Sequence, residues 1–187
     1  ARAAISVLPG TGATLTGNGS LSPATPGSAL SGDLLVAQIV AQNGATIVAP
    51  AGWSPVGSAS INQNGLQQRI YYLNLAAAPA ASYTWTLTGN VSTRAAAVLY
   101  GVRGAATADC SAASTVNCAG SYQAGNGNQI TAPNIQSQPP TYPAGSLRLA
   151  FFSAANGSLT ITPALQNSAV DGVTVATGGT TNGVSAD

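Results

Sequence analysis

One apolar stretch constrains the fold of this chain more than any other feature. It runs from Gly32 to Gly44 and reads Gly-Asp-Leu-Leu-Val-Ala-Gln-Ile-Val-Ala-Gln-Asn-Gly. In an extended chain, its two faces carry Leu35, Ala37, Ile39 and Ala41 on one side, and Leu34, Val36 and Val40 with Gln38 and Gln42 on the other. A strand that is largely apolar on both faces is typical of the centre of a sheet. We therefore predict a central β-strand that is covered on two sides.

The end of this stretch predicts a hairpin. Asn43-Gly44 is the strongest short hairpin signal, and a second short run of strand-forming residues follows at 46–49. A similar arrangement recurs in residues 145–157, which also end in Asn-Gly. We interpret the two stretches as equivalent hairpins at the centres of two facing sheets. The alternative is that any two β-hairpins share such residues.

The rest of the chain also has the pattern of short strands. Asn62-Gln63-Asn64-Gly65 predicts another hairpin turn, and the strand after it breaks its alternation at Tyr71-Tyr72, where we expect a bulge. Residues 82–88 alternate between large apolar and hydroxyl side chains. Turn signals recur at the spacing of a sandwich, and no segment has the pattern of an amphipathic helix. We predict an all-β fold, a two-sheet antiparallel β-sandwich that is jelly-roll-like, with residues 1–187 as a single domain.

Several spaced segments resemble a β-sandwich module that is found in secreted bacterial and phage-associated surface proteins. The segments are Gly-Asp-Leu-Leu-Val-Ala (32–37), Ala-Pro-Ala-Gly-Trp (49–53), Tyr-Tyr (71–72), Ala-Ser-Tyr-Thr-Trp-Thr-Leu (81–87) and Ala-Val-Leu-Tyr-Gly-Val-Arg-Gly (97–104). The resemblance covers residues 28–165 and includes no catalytic motif. It implies a jelly-roll-like module of a surface, adhesive or appendage protein. Such modules usually end with one more apolar strand, which we do not expect in residues 176–187.

The composition excludes most kinds of chemistry. Charged residues make up 5% of the chain, against roughly 25% in an ordinary soluble protein. The sequence has no His, Lys or Glu, so it lacks the usual bases of nucleophilic catalysis and the common zinc ligands. We therefore expect neither an enzyme nor a cofactor. A net charge of +1 gives no footprint for nucleic acid, and no apolar run is long enough to span a membrane as a helix.

The cysteines indicate an oxidising location. Cys110 and Cys118 are the only two in the chain and lie in a segment rich in small polar residues. With one pair and no His, a disulfide that closes a local loop is a better interpretation than a metal site. Because the sequence begins at Ala1, we also expect N-terminal processing. These features favour a secreted, extracellular protein of a cell-surface appendage.

Two functions from different classes are compatible with these observations. The first is a structural subunit that polymerises with itself into an extracellular filament or pilus-like surface assembly. The second is an adhesive or carbohydrate-binding module of a surface or phage tail-fibre protein, with glycans or a host surface as partners. For that module, Trp53 and Tyr142 are the candidate stacking residues, because both lie in loops rich in Pro and Gly.

The N-terminal segment is the candidate joint between subunits. A sandwich without its final strand exposes an unpaired edge that recruits a strand from another chain. Residues 1–10 have the pattern of an extended donor strand, with Ala3, Ile5 and Val7 on one face and Pro9-Gly10 as a hinge. The alternative is that this segment pairs within its own subunit, as N-terminal strands usually do.

Overall fold

The computed structural model describes residues 5–42, 45–56, 61–63, 66–89, 94–105, 149, 151–153, 175–176 and 183–186. These residues form twelve β-strands and no helix. In chain order the strands are β1 (Ser6–Thr16), β2 (Gly19–Leu21), β3 (Leu34–Gln42), β4 (Thr46–Val48), β5 (Ser54–Pro55), β6 (Ile61–Gln63), β7 (Leu66–Asn74), β8 (Trp85–Thr88), β9 (Arg94–Arg103), β10 (Phe151–Ser153), β11 (Val175–Ala176) and β12 (Gly183–Ala186).

The first nine strands form two facing antiparallel sheets. The larger sheet has the order β1-β9-β3-β7-β5, with β6 also paired to β7, and the smaller sheet has the order β2-β8-β4. The chain crosses between the sheets at each step from β1 to β5, and again from β7 to β8 and from β8 to β9. This repeated crossing is the pattern of a double-sheet jelly roll. The predicted all-β antiparallel sandwich is confirmed.

Strand β3 lies at the centre of the larger sheet. It pairs with β7 on one side and with β9 on the other, and its residues from Leu34 to Ala41 are all buried. Its odd-numbered side chains pack between the two facing sheets, and Leu34, Val36 and Val40 pack on the opposite face. The prediction of a central strand that is covered on two sides is confirmed.

The predicted hairpin between β3 and β4 is wrong. Both edges of β3 are taken by β7 and β9, and β4 pairs with β8 in the smaller sheet. Because a strand has only two edges, a central strand with two long partners leaves none for the segment that follows it. Asn43 and Gly44, and most of the second copy at 145–157, lie outside the described residues.

The other predicted hairpin forms, but Asn62 and Gln63, which the sequence placed in its turn, belong to β6. β6 pairs with β7 up to the partners Gln63 and Leu66, so that two residues connect the strands. The bulge expected at Tyr71 and Tyr72 does not occur, since the pairing of β7 with β3 runs without a shift from Leu66 to Asn74. Tyr71 packs between the facing sheets and Tyr72 on the opposite face. Consecutive large side chains are therefore compatible with a regular strand that is covered on both faces.

The main core lies between the facing sheets. Trp85 is completely buried there, whereas Thr86 and Thr88 of the same strand are exposed, which is the alternation that the sequence predicts for residues 82–88. Leu21 of β2 and Leu35 of β3 are also completely buried in this cluster. Full burial of an apolar side chain of this size contributes about 1.5–3 kcal/mol, so this layer supplies much of the driving force for folding.

The opposite face of the larger sheet has its own apolar clusters. Phe151 of β10 contacts Tyr100 of β9 with ring centroids 6.4 Å apart, and Leu149 packs nearby. Strand β10 belongs to a short sheet of order β10-β12-β11. β12 (Gly183–Ala186) pairs with both of its neighbours, so the expectation that the C-terminal segment lacks a strand is wrong. Backbone pairing does not require apolar side chains, which explains why composition missed it.

Candidate assembly site

The N-terminal segment that the sequence singles out forms the first strand of the larger sheet. β1 pairs with β9 of its own chain, which is the within-subunit alternative to donation. Ile5 and Val7 contact the apolar clusters on the face of the sheet opposite the main core, and Ala3 lies outside the described residues. The register partners at this end of the two strands are Ser6–Arg103, Val7–Val102 and Leu8–Gly101.

Leu8 is held in a notch over Gly101. The Leu8 side chain is 7% exposed and belongs to the main core between the sheets. A Cβ atom added to Gly101 would lie 2.6 Å from Leu8 Cδ1 and 3.2 Å from its Cβ and Cγ. Because only glycine leaves this space open, Gly101 determines where Leu8 packs. We call this space the Gly101 notch.

A bulge separates the two halves of β1. Leu8 pairs with Gly101 and Thr11 with Leu99, so that two residues of β1, Pro9 and Gly10, stand opposite one residue of β9. Proline has no N–H to donate to the ladder and is found in sheets mainly at edges and bulges. After the bulge the register is regular to the end of β1. The predicted hinge residues are therefore the point at which the ladder is interrupted.

Gly10 lies directly against the ring of Tyr100. A Cβ atom on Gly10 would lie 2.5 Å from Tyr100 Cε1 and 2.9 Å from Cδ1 and Cζ. Tyr100 itself is buried on the face opposite the main core. The glycine of the bulge thus lets the backbone pass over an aromatic ring that no other residue type would clear.

An ion pair connects the end of β9 to the turn that precedes β3. Asp33 is 5% exposed and accepts hydrogen bonds from Arg103, with Nε 3.1 Å from Oδ1 and Nη2 2.9 Å from Oδ2. The Leu30 N–H also donates to Oδ2 at 2.9 Å, so Asp33 stabilises the turn before β3 as well. The hydrogen bonds from Arg103 lower the pKa of Asp33, although burial acts in the opposite direction. A carboxylate with two guanidinium contacts is well suited to fix one geometry.

Trp53 is buried, which corrects the prediction that it stacks on a ligand. Only 7% of the residue is exposed. Its ring makes edge-on contacts with Tyr83 and with Trp85, at centroid distances of 5.2 Å and 4.9 Å. The Pro- and Gly-rich loop that carries Trp53 folds this side chain into the core, so the ring offers no open face to a sugar.

The remaining candidate residues lie outside the described part of the chain. They are Tyr142 and the two cysteines, Cys110 and Cys118, so the stacking role and the disulfide stay predictions. Within the described residues, no three His, Cys, Asp or Glu side chains come together as a possible metal site. Nor does that part of the chain contain a helix of the length and hydropathy needed to cross a membrane.

The described surface carries very little charge. The charged residues in the described ranges are Asp33, Arg69, Arg94 and Arg103, and the first and last of these form the ion pair above. The outer face of the smaller sheet contains hydroxyl and aliphatic side chains instead. Its exposed strand residues are Ser20, Thr46, Val48, Thr86 and Thr88.

Sequence reasoning selected the N-terminal segment but missed the residues against which it packs. It selected Ile5 and Val7 and did not single out Leu8, which faces the main core. Gly101 and Arg103 were seen only as parts of a strand, since nothing local shows that a glycine forms a notch or which carboxylate an arginine meets. No family model, curated protein or solved structure matches this chain.

Proposed function

We propose that this protein is a structural subunit of an extracellular filament or pilus-like surface assembly, which polymerises with itself through apolar and β-strand contacts. The observation that carries the proposal is the scarcity of charge on the described surface. The ion pair between Asp33 and Arg103 is local and cancels its own charge. Few charges therefore remain in these residues to keep separate copies apart.

This scarcity favours an assembled state for a physical reason. Stable monomers carry charge on about a quarter to a third of their surface residues, and the resulting repulsion opposes association. Here the whole chain has five positive and four negative side chains among 187 residues. Uncharged faces, such as the outer face of the smaller sheet, can be covered by neighbouring copies without desolvating ions.

The alternative function, an adhesive or carbohydrate-binding module, has no described residue in its favour. Trp53 is buried in the aromatic cluster, and Tyr142 lies outside the described residues. A stacking platform would need an exposed aromatic face, which Trp53 does not provide.

Negative-stain electron microscopy of native surface material tests the proposal. We expect filaments whose mass spectrum identifies this chain as the main component. Filaments should persist from low salt to 1 M salt and from pH 5 to pH 8, because few ion pairs are possible and no His or Glu titrates in that range. A monodisperse monomer in native material, or disassembly of filaments by salt alone, would refute the proposal.

A further inference from the structure

The first four described residues form a small, separable part of the sandwich. Residues 5–8 precede the bulge, and their ladder to β9 comprises the three register pairs from Ser6 to Leu8. The half of β1 that follows the bulge has six pairs, from Thr11 to Thr16. The interrupted ladder means that the first half can leave β9 without disturbing the register of the second.

We propose that, in the assembled filament, residues 5–8 of one chain occupy β9 of the next chain in the place that they hold here on their own β9. Pro9 and Gly10 act as the hinge that redirects the segment. This inference rests on the proposed filament function and identifies the joint between its subunits.

The acceptor site has the chemistry to select this occupant. Its central feature is the Gly101 notch, which Leu8 fills so closely that a methyl group on Gly101 would lie 2.6 Å from Leu8 Cδ1. On the opposite face, Val7 and Ile5 contact apolar clusters that include Tyr100 and Val102. A second copy of the same segment makes each of these contacts unchanged, so exchange keeps the contacts that residues 5–8 make in the single chain.

The segment that would be exchanged contains no charged side chain. Residues 5–8 are Ile-Ser-Val-Leu. The cation beside them, Arg103, is already paired with Asp33 and hydrogen-bonded to the Ser28 carbonyl at 2.6 Å. Moving the segment between chains therefore leaves the ion pair intact. This agrees with the salt-insensitive assembly expected above.

Each chain has one donor segment and one acceptor site, and this allows two outcomes. If two chains exchange segments reciprocally, the assembly closes at two copies. If each chain donates to the next, the assembly grows without limit. The proposal commits to the open-ended arrangement, since a closed pair would not form a filament.

Disulfide trapping in the full-length chain tests the exchange. Cys110→Ser and Cys118→Ser provide the background. One chain then carries Val7→Cys and another carries Val102→Cys, which are register partners. The two are mixed, assembled, oxidised with copper phenanthroline and run on a denaturing gel without reductant. The matched control uses Ala13→Cys and Ala97→Cys, which are partners in the half of β1 after the hinge.

We expect linked dimers from the first mixture, and none from either of its variants alone or from the control mixture. With both substitutions of the first pair in one chain, the gel should show a ladder that extends beyond dimers.

Filaments with only within-chain links would overturn strand exchange and leave the filament function standing. If the chain with both substitutions gives linked products no larger than dimers, open-ended exchange is wrong. If the control mixture gives linked dimers, Pro9 and Gly10 are not the hinge. The absence of filaments would refute both proposals.

A second pair of cysteine substitutions provides an independent test in case Val7→Cys or Val102→Cys disturbs the fold. Leu8→Cys and Gly101→Cys place their Cβ atoms 3.2 Å apart in the present geometry, close to the roughly 3.5–4.5 Å that disulfides span. Where the two substituted positions meet, in a mixed contact or in a chain that carries both substitutions, the Leu8 side chain that would clash with a residue at 101 is absent. The same gel outcomes are expected from this pair and carry the same meaning.

Discussion

Replacing Gly101 with alanine places a methyl group where the side chain of Leu8 already lies. The added Cβ would be 2.6 Å from Leu8 Cδ1 and 3.2 Å from its Cβ and Cγ. Overpacking of this kind costs about 1–3 kcal/mol. The lower flexibility of alanine in the unfolded chain offsets about 0.5–1 kcal/mol of that cost. We therefore expect Gly101→Ala to lower the free energy of unfolding by about 1–2 kcal/mol.

A double-mutant cycle with Leu8 tests the cause. Leu8→Ala alone should cost about 2 kcal/mol, at the low end of the range for buried leucine because β1 is at the edge of the described sheet. In that background Cδ1 and Cγ of residue 8 are gone and only its Cβ remains, 3.2 Å away. Gly101→Ala should then change stability by less than about 0.5 kcal/mol. The expected coupling between the two sites is about 1–2 kcal/mol.

Urea unfolding of unassembled protein, followed by tryptophan fluorescence, measures these differences. Gly27→Ala is the matched control, because a Cβ there meets no atom within 4 Å, and its effect should stay within about 0.5 kcal/mol. If the costs of Leu8→Ala and Gly101→Ala add, the notch does not position Leu8 and the reasoning fails.

Three further predictions follow from other parts of the chain. Because its pKa is lowered on folding, Asp33 contributes stability that is present above its unfolded pKa of about 3.9 and is lost as the pH falls. Asp33→Asn should therefore reduce the fall of the melting temperature at acid pH in thermal unfolding scans. An unchanged dependence of the melting temperature on pH would contradict this role of Asp33. Gln38 Nε2 donates a hydrogen bond to Gln68 Oε1 at 2.8 Å, and both side chains are buried. Gln38→Leu alone should lower the free energy of unfolding in urea by about 1–3 kcal/mol, whereas replacing both residues with leucine should lower it much less. Equal losses would show that the pair is not coupled. Mass spectrometry without reductant should find Cys110 and Cys118 linked, and reduction should cost roughly 2–3 kcal/mol; two free thiols would rule the disulfide out.

Local patterns in the sequence determined which segments become strands and which faces they bury. The β3 stretch is apolar on both faces, and that alone required a strand covered on two sides. The alternation in 82–88 placed Trp85 inside and Thr86 outside, and Asn62-Gln63-Asn64-Gly65 indicated a hairpin between β6 and β7, although not the exact bounds of its turn. Each of these features depends on a residue and its near neighbours, so it can be read without knowing the fold.

The tertiary structure alone decided which strands pair. The Asn-Gly pair after β3 is a turn signal, but β7 and β9 pair with the two edges of β3. β4 therefore pairs with β8 in the smaller sheet. A turn signal acts over a few residues, whereas the burial of long apolar strands acts over the whole sheet and contributes more free energy.

The same distinction applies to the candidate site. The sequence indicated an extended N-terminal segment with a hinge at Pro9-Gly10, but the notch that receives Leu8 is formed by Gly101, more than ninety residues away in the chain. The partner of Asp33 and the burial of Trp53 are likewise long-range contacts. Periodicity shows that a side chain will be covered; only the packing of distant strands shows what covers it.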